Sequence, residues 1–339
     1  MLEKPDIPDE QILACLRAEY GLPVLQIAFL PIGGDASTAV YRAVTQEATS
    51  YFCKLKQHGF DPVSVALPAF LSEQSNSRVI PPLRTRSGEL WAVMEEFHLI
   101  LYPFVEGTNG YDLELTEHQW AAFGAAIRQL HTTSIPPALQ SRLRRESYSP
   151  EWRDPCRVIL ERLEHETFQD PVALDLVLFF QSRGEQVREL LRRAEELAPV
   201  MAHCSLEFVV CHSDIHPGNL FIDGQGTVFI VDWDYPMLAP KERDLMFIGG
   251  GEGFKPYSAA HEERLFYRGY GQVQIDPLAL AYYRCERSIT DFVVESERIL
   301  SDTLGDQDRA RAFEYLGYYF LPGGTVERAL ATDGRESSG

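Results

Sequence analysis

The stretch His212-Ser213-Asp214-Ile215-His216-Pro217-Gly218-Asn219-Leu220 places a carboxylate and a carboxamide five residues apart in a turn-rich segment. The apolar run Phe208-Val209-Val210 leads into it and Leu220-Phe221-Ile222 leads out, so short strands flank it. Thirteen residues beyond Asn219 a second acid stands in Val231-Asp232-Trp233-Asp234. The chain between reads as strand, Asp223-Gly224-Gln225-Gly226, strand. A four-residue loop would pair Ile222 with Thr227 and Asn219 with Ile230, leaving Asp232 diagonally across from Asn219 at roughly 7–8 Å. One hard cation can bridge two oxygen donors so spaced. Magnesium suits them because it keeps its remaining positions for phosphate oxygens and water. Asp214 precedes the hairpin and can orient an attacking hydroxyl and accept its proton. Phosphoryl transfer needs this division of labour: little covalent chemistry, much positioning and charge neutralisation.

Other chemistries fit the stretch less well. His212, Asp214 and His216 could contribute to a zinc site, but no third His or Cys is placed by spacing. Ser213 lacks the G-x-S-x-G frame of a nucleophile elbow. Asp and Asn are each common turn residues. That reading leaves the ordered series of acid, amide, strand, turn, strand and acid unexplained.

Upstream, Val24 to Leu30, Thr38 to Thr45, Ser50 to Lys56 and Glu89 to Glu95 read as short strands separated by glycine and proline. Residues 9 to 19 form an amphipathic helix. Pro62 to Leu71 is apolar at helical spacing, with Pro68 expected to kink or end it. Pro31-Ile32-Gly33-Gly34-Asp35-Ala36-Ser37-Thr38 joins the first two strands, and its glycines let backbone amides approach phosphates. No helix follows and G-x-G-x-x-G is absent, so a Rossmann fold is unsupported. In Tyr51-Phe52-Cys53-Lys54-Leu55-Lys56, alternation puts Phe52, Lys54 and Lys56 on one face. Lys54, deeper in the strand than Lys56, is the preferred phosphate-pairing lysine. His98 to Val105 is an apolar run whose backbone could meet a flat heterocycle, and composition turns from strand-like to helix-like there. The expected division is 1–102 as a small sheet lobe, 103–332 as a helical lobe and 333–339 as a frayed tail.

The 339 residues can bury a large core, and the 45% hydrophobic and 24% charged content is that of an ordinary soluble globular protein. The formal charge of −19 argues against a nucleic-acid partner and could draw a small cationic acceptor. No signal-peptide pattern or uninterrupted apolar span points to a membrane. Six scattered cysteines without a C-x-x-C pair suit reduced thiols in a cytoplasmic protein, and a monomer is expected. Downstream, Thr116 is a candidate N-cap with Gln119 three residues on. Helical patterns recur at 151–166, 170–197, 259–270, 277–300 and 306–317. Arg287, Asp291 and Glu295 lie four apart and could present acids to a substrate amine or form a solvated salt-bridge stripe. Asp234 and Glu242 are further acceptor candidates.

The 212–219 segment resembles the catalytic loop of the aminoglycoside phosphotransferase family, kin to the protein kinases, and Asp232-Trp233-Asp234 stands where that family keeps its metal-binding acid. The run from Asp232 to Gly251, Tyr51 to Lys56, the Gly33-Gly34 loop and Tyr282-Tyr283-Arg284-Cys285-Glu286-Arg287 are most similar to members acting on the aminocyclitol spectinomycin. The similarity runs in order from about residue 20 to 320. It implies an α+β, bilobal kinase-like fold, with a small antiparallel-sheet N-lobe, a mainly helical C-lobe and ATP in the cleft. It further implies Asp214 as catalytic base, Asn219 and Asp232 as magnesium ligands, and Lys54 on the α- and β-phosphates. Gly33, Gly34, Asp35, Ser37 and Thr38 would cover the phosphates, with Leu101, Tyr102 and Phe104 against adenine. The product would be an O-phosphorylated aminocyclitol or aminoglycoside antibiotic plus ADP, giving resistance. Kinase-like folds pair the strand lysine with a helix glutamate; here Asp61, or else Glu73, is the candidate partner. A metabolite kinase acting on choline, homoserine or a sugar, and a nucleotide-binding pseudokinase or partner-binding module, are the rival readings. The intact set Lys54, Asp214, Asn219 and Asp232 counts against the latter.

Overall fold

A computed structural model describes residues 3–33, 35, 37–74, 78–253 and 258–332; Gly34 and the tail 333–339 lie outside the described residues. In chain order the elements begin α1 (Asp9–Tyr20), β1 (Val24–Leu30), β2 (Thr38–Thr45), β3 (Ser50–Lys56), α2 (Val63–Ser72), β4 (Ala92–Met94), β5 (Phe97–Pro103) and β6 (Gly107–Asn109). They continue with α3 (Glu117–Thr132), α4 (Pro137–Gln140), β7 (Arg144–Arg145), α5 (Arg153–His165), α6 (Pro171–His203) and β8 (Phe208–Cys211). After one 3-10 turn (Pro217–Asn219) come β9 (Leu220–Asp223), β10 (Val228–Ile230), β11 (Met237–Pro240) and α7 (Glu242–Leu245). The chain closes with α8 (Ala259–Tyr270), α9 (Pro277–Ile299), α10 (Asp306–Tyr319) and α11 (Thr325–Ala331). This is the α+β class expected. No helix among the described residues is long and apolar enough to cross a membrane.

Two compact units emerge. The first comprises Met1–Asn109, Ser134–Leu143 and Asn219–Pro236. Its main sheet has the order β1-β2-β3-β5-β4, with the paired strands antiparallel. Period-two alternation sorts this sheet into two faces. Ala39, Tyr41, Ala43, Cys53, Leu55, Leu99 and Leu101 are buried with Ile12 and Leu16 of α1. The register leaves Thr38, Val40, Lys54, Lys56, Ile100 and Tyr102 on the opposite face.

The strands 24–30, 38–45 and 50–56 stand as expected, while three local expectations need correction. The Glu89–Glu95 run keeps only Ala92–Met94 as strand. Thr85 N–H donates to Glu89 O (2.8 Å), closing a turn before it, and left-handed Glu95 (φ 52°) turns the chain after it. Of the two outcomes expected at Pro68, a kink or an end, the end does not occur, because a helix buried at seven of its ten positions tolerates one missing N–H. The β9–β10 hairpin is shifted by one residue: Asp223 N–H donates to Thr227 O (3.1 Å), Gly226 adopts φ 83°, and Ile222 pairs with Val228. A three-residue loop with glycine left-handed is a common hairpin form. Asn219 thus meets Val231, whose N–H donates to its carbonyl (3.0 Å).

The second unit comprises Gly110–Thr133, Arg144–Gly218 and Met237–Gly339. Its core gathers apolar side chains of α5, α6, α9, α10 and α11, among them Leu160, Leu176, Val187, Phe292 and Leu316. Helices α3 and α8 approach closely because Gly269 lacks a side chain; a Cβ there would fall 1.8 Å from Ala121 O. Thr116 closes the expected capping box on α3, accepting from Gln119 N–H while the Gln119 side chain takes the Thr116 N–H. Thr116→Ala should destabilise the protein by about 1 kcal/mol, read as a lower urea midpoint at unchanged slope.

Candidate active site

In the first unit, Lys54 Nζ lies 2.8 Å from Asp232 Oδ1 and 2.7 Å from Asp234 Oδ1. Lys56 Nζ lies 2.5 Å from Asp234 Oδ2 and 3.3 Å from Asp35 Oδ2. Burial alone would lower the Lys54 pKa, but the two aspartates hold it well above its ordinary value, so the ammonium stays charged. Burial likewise opposes ionisation of Asp234, and both lysines outweigh it. Asp61, the expected acid partner, instead accepts the Val63 N–H (3.0 Å) at the start of α2, and Glu73 ends that helix. Asp234, an acceptor candidate by sequence, sits with the lysines.

Asp35 knots its own loop. It accepts from Ser37 N–H, Ser37 Oγ and Thr38 Oγ1, each at 2.7 Å, so these hydroxyls turn onto the carboxylate. Gly33 has φ +90°, a backbone that favours glycine. Asp232 is left-handed too (φ 61°), beyond the end of β10, and the Trp233 indole anchors the bend by donating to Ile230 O (3.0 Å). Asn219 is buried at the end of the 3-10 turn. The amide oxygen of Asn219 and the half-exposed carboxylate of Asp232 are hard donors that suit magnesium. An ammonium bridging Asp232 and Asp234 shows that this corner already attracts a cation.

On β5 the expectation splits. Tyr102 shares the Lys54 face and meets Phe52 edge-on (6.2 Å between centroids). Leu101 is on the opposite, core face, and its carbonyl already accepts the Leu83 N–H (2.7 Å). The Phe104 N–H donates to Ser50 O (3.3 Å), and its ring lies under the Arg42 guanidinium (4.3 Å). The apolar side chain that the register sets beside Lys54 is Ile100, which strand alternation from Tyr102 would have identified.

In the second unit, β8 pairs with β11 and delivers the chain to His212. Ser213 is left-handed (φ 75°). Asp244 holds that bend, accepting the N–H groups of His212 (3.0 Å) and Ser213 (2.6 Å) while bonding His131 Nε2 (2.9 Å). Burial would raise the Asp244 pKa, but the bonds with His131 and Ser213 keep it low. His131, Cys211 and Asp244 lie close enough to share a metal. Each is committed to the fold, with Cys211 Sγ on Ala239 O and His131 Nδ1 on the Tyr270 hydroxyl.

Beyond the bend, Asp214 Oδ1 receives Arg287 Nη1 at 2.5 Å, and Asp214 Oδ2 lies 3.6 Å from His216 Nε2. Burial pushes the Asp214 carboxyl up; His216 and Arg287 outweigh it and hold the group well below the usual carboxylate range. Arg287 Nε also reaches Asp291 (3.0 Å), and its guanidinium lies 5.1 Å from the centre of the Phe247 ring. Tyr111 stacks on His216 at 5.7 Å, with its hydroxyl 3.2 Å from Nδ1. Burial raises Asp291 despite Arg287, and pushes Glu295 up to about 7 although Arg298 is 3.1 Å away. The 287–295 face is therefore a buried acid-rich wall rather than a solvated stripe. Glu242 does not join it; its buried carboxylate accepts the Asp276 N–H (3.0 Å) and pairs with Lys241 (2.9 Å). Sequence patterning missed the Arg287–Asp214 pair and the buried acid Glu252, whose only local signal is the surrounding glycines.

The model of the phosphotransferase enzyme family matches residues 28–274. No curated protein sequence matches the chain. Among solved structures, spectinomycin phosphotransferase in complex with ADP and spectinomycin is 34% identical, with TM-score 0.89 over 98% of this chain and 100% of that one. Its AMP-bound complex is likewise 34% identical, with TM-score 0.83 over 96% and 98%. An amicoumacin kinase, 17% identical with TM-score 0.63 over 94% and 95%, shares the fold.

Proposed function

The chain belongs to the phosphotransferase enzyme family, and from that premise we propose an ATP- and magnesium-dependent O-phosphotransferase acting on an aminocyclitol antibiotic, spectinomycin foremost. The observation that carries this is the Lys54 ammonium of β3 set against Asp232 and Asp234, acids some 180 residues further along the chain. Few structural needs account for a buried and a partly buried lysine sharing one aspartate, whereas a phosphate-binding corner needs that charge. Likeness to a spectinomycin-bound phosphotransferase supports the drug, as does the acid-rich wall around Asp214.

Phosphate oxygens of ATP replace the carboxylates as partners of Lys54 and Lys56, beneath the loop that carries Gly33, Asp35, Ser37 and Thr38. Asn219 and Asp232 would hold a magnesium ion, which when bound would neutralise phosphate charge. Asp214 accepts a hydrogen bond from the acceptor hydroxyl and takes its proton as the new O–P bond forms. The bond from the γ-phosphorus to the β,γ-bridging oxygen breaks in line, and ADP leaves with that electron pair. No phosphoenzyme forms, because no nucleophilic side chain is needed.

The test is ADP release over a panel of spectinomycin, related aminocyclitols, choline and homoserine. Spectinomycin should stimulate release most strongly. Silence with spectinomycin beside strong stimulation by choline or homoserine would replace the drug by a metabolite.

A further inference from the structure

After α7 the chain runs Gly249-Gly250-Gly251-Glu252-Gly253, and the catalytic loop does not require the acid it carries. This segment is held from several sides. Arg284 of α9 donates from Nε to Met246 O (3.2 Å) and from Nη2 to Ile248 O (2.9 Å), and Gly249 N–H donates to Glu262 of α8 (3.2 Å). Gly249, Gly251 and Gly253 have φ of 66°, 86° and 84°, backbone that disfavours any side chain. A Cβ on Gly251 would also come within 2.6 Å of Gly323 O. The acid between these glycines is thus placed by a scaffold.

Glu252 is only 7% exposed, and among the described residues no hydrogen bond or ion pair reaches its carboxylate. Asp214, His216, Arg287 and Asp291 are near enough to act on it electrostatically. Among the described residues, three carboxyl groups there, Asp214, Glu252 and Asp291, face one guanidinium and an imidazole. A carboxyl so little exposed has few partners to hand, and a ligand can supply one. Burial pushes this carboxyl up to about 7, so an arriving cation finds a group ready to ionise. Beside it, a Cβ on Gly253 would sit 3.3 Å from Tyr318 Oη and 3.5 Å from the Tyr111 ring. Both tyrosines are partly exposed, at 43% and 45%, so aromatic rings an alkylammonium can contact stand next to this segment.

We propose that Glu252 seats an ammonium group of the acceptor and thereby selects amine-bearing alcohols over neutral ones. The proposal rests on the reading that Asp214 prepares the acceptor hydroxyl, and it adds a specificity-determining residue to that site.

The experiment compares wild type with Glu252→Gln at saturating Mg-ATP, using spectinomycin and its neutral N-acylated derivative as acceptors. Loss of a charged hydrogen bond should raise the KM for spectinomycin about tenfold or more. The turnover rate and the KM for ATP should stay within about twofold, and the N-acylated compound should bind both proteins equally. An equal KM shift for both compounds, or no shift for spectinomycin, would overturn the proposal. A second measurement does not depend on the variant folding: wild type should itself bind the N-acylated compound about tenfold more weakly, and equal binding would refute the seat. Should spectinomycin fail while choline is turned over, the drug reading falls. Choline against its neutral isostere 3,3-dimethylbutan-1-ol then decides the seat. Absence of turnover with every amine-bearing alcohol removes both readings together.

Discussion

Asp214→Asn should lower the turnover rate by about two to four orders of magnitude, the usual contribution of a general base. Asparagine keeps the shape and can still orient a hydroxyl, but it cannot accept the proton released as the O–P bond forms. Affinity for ATP should change little, because Lys54, Lys56, Asp232 and Asp234 hold one another within the other unit. Arg287 loses one carboxylate and keeps Asp291, so the fold should survive, as an unchanged melting temperature would show. The sign of the pH dependence follows from His216 and Arg287. A carboxyl held well below its usual range protonates only at still lower pH, so Asp214 remains ionised throughout pH 5 to 8. An acid limb in that window therefore belongs to another group, and the Asn variant should keep its position while losing height. Single-turnover rates resolve the chemical step, and wild-type-like rates would remove Asp214 as the base.

Local pattern made much of this architecture legible. The strand runs 24–30, 38–45 and 50–56 and the Thr116 capping box needed only alternation, turn residues and cap chemistry, all written within a few neighbouring positions. What stayed hidden depended on partners far along the chain. Lys54 meets Asp232 across 178 residues, and Arg287 meets Asp214 across 73. No periodicity encodes such pairs, so Asp61 looked a better partner for Lys54, and the Arg287 face stayed open between acids for a substrate amine and a solvated stripe. The hairpin register failed for a smaller reason. Gly226 takes a left-handed turn that removes one loop residue, and a one-residue slip exchanges which side chains share a face. Leu101 shows the same logic: an apolar run does not say which residues face the core until a neighbouring strand sets the alternation.

The corrected register makes Asp232 the position where metal chemistry and backbone strain can be separated. Asp232→Asn and Asp232→Ala both remove the carboxylate, and Mg-ATP affinity measured by calorimetry should fall about 10- to 100-fold in each. Their folds should respond differently. Asparagine tolerates the left-handed backbone that Asp232 adopts (φ 61°), whereas alanine there costs about 1–2 kcal/mol. The Ala variant should therefore melt lower than the Asn variant at equal loss of metal-dependent binding. Lys54 would still have Asp234 at 2.7 Å, so binding of nucleotide without metal should fall far less than binding with it. If both variants bound Mg-ATP as tightly as wild type, Asp232 would be only the turn residue that its φ and the Trp233 tether describe, and Asn219 would have no acid with which to share a cation.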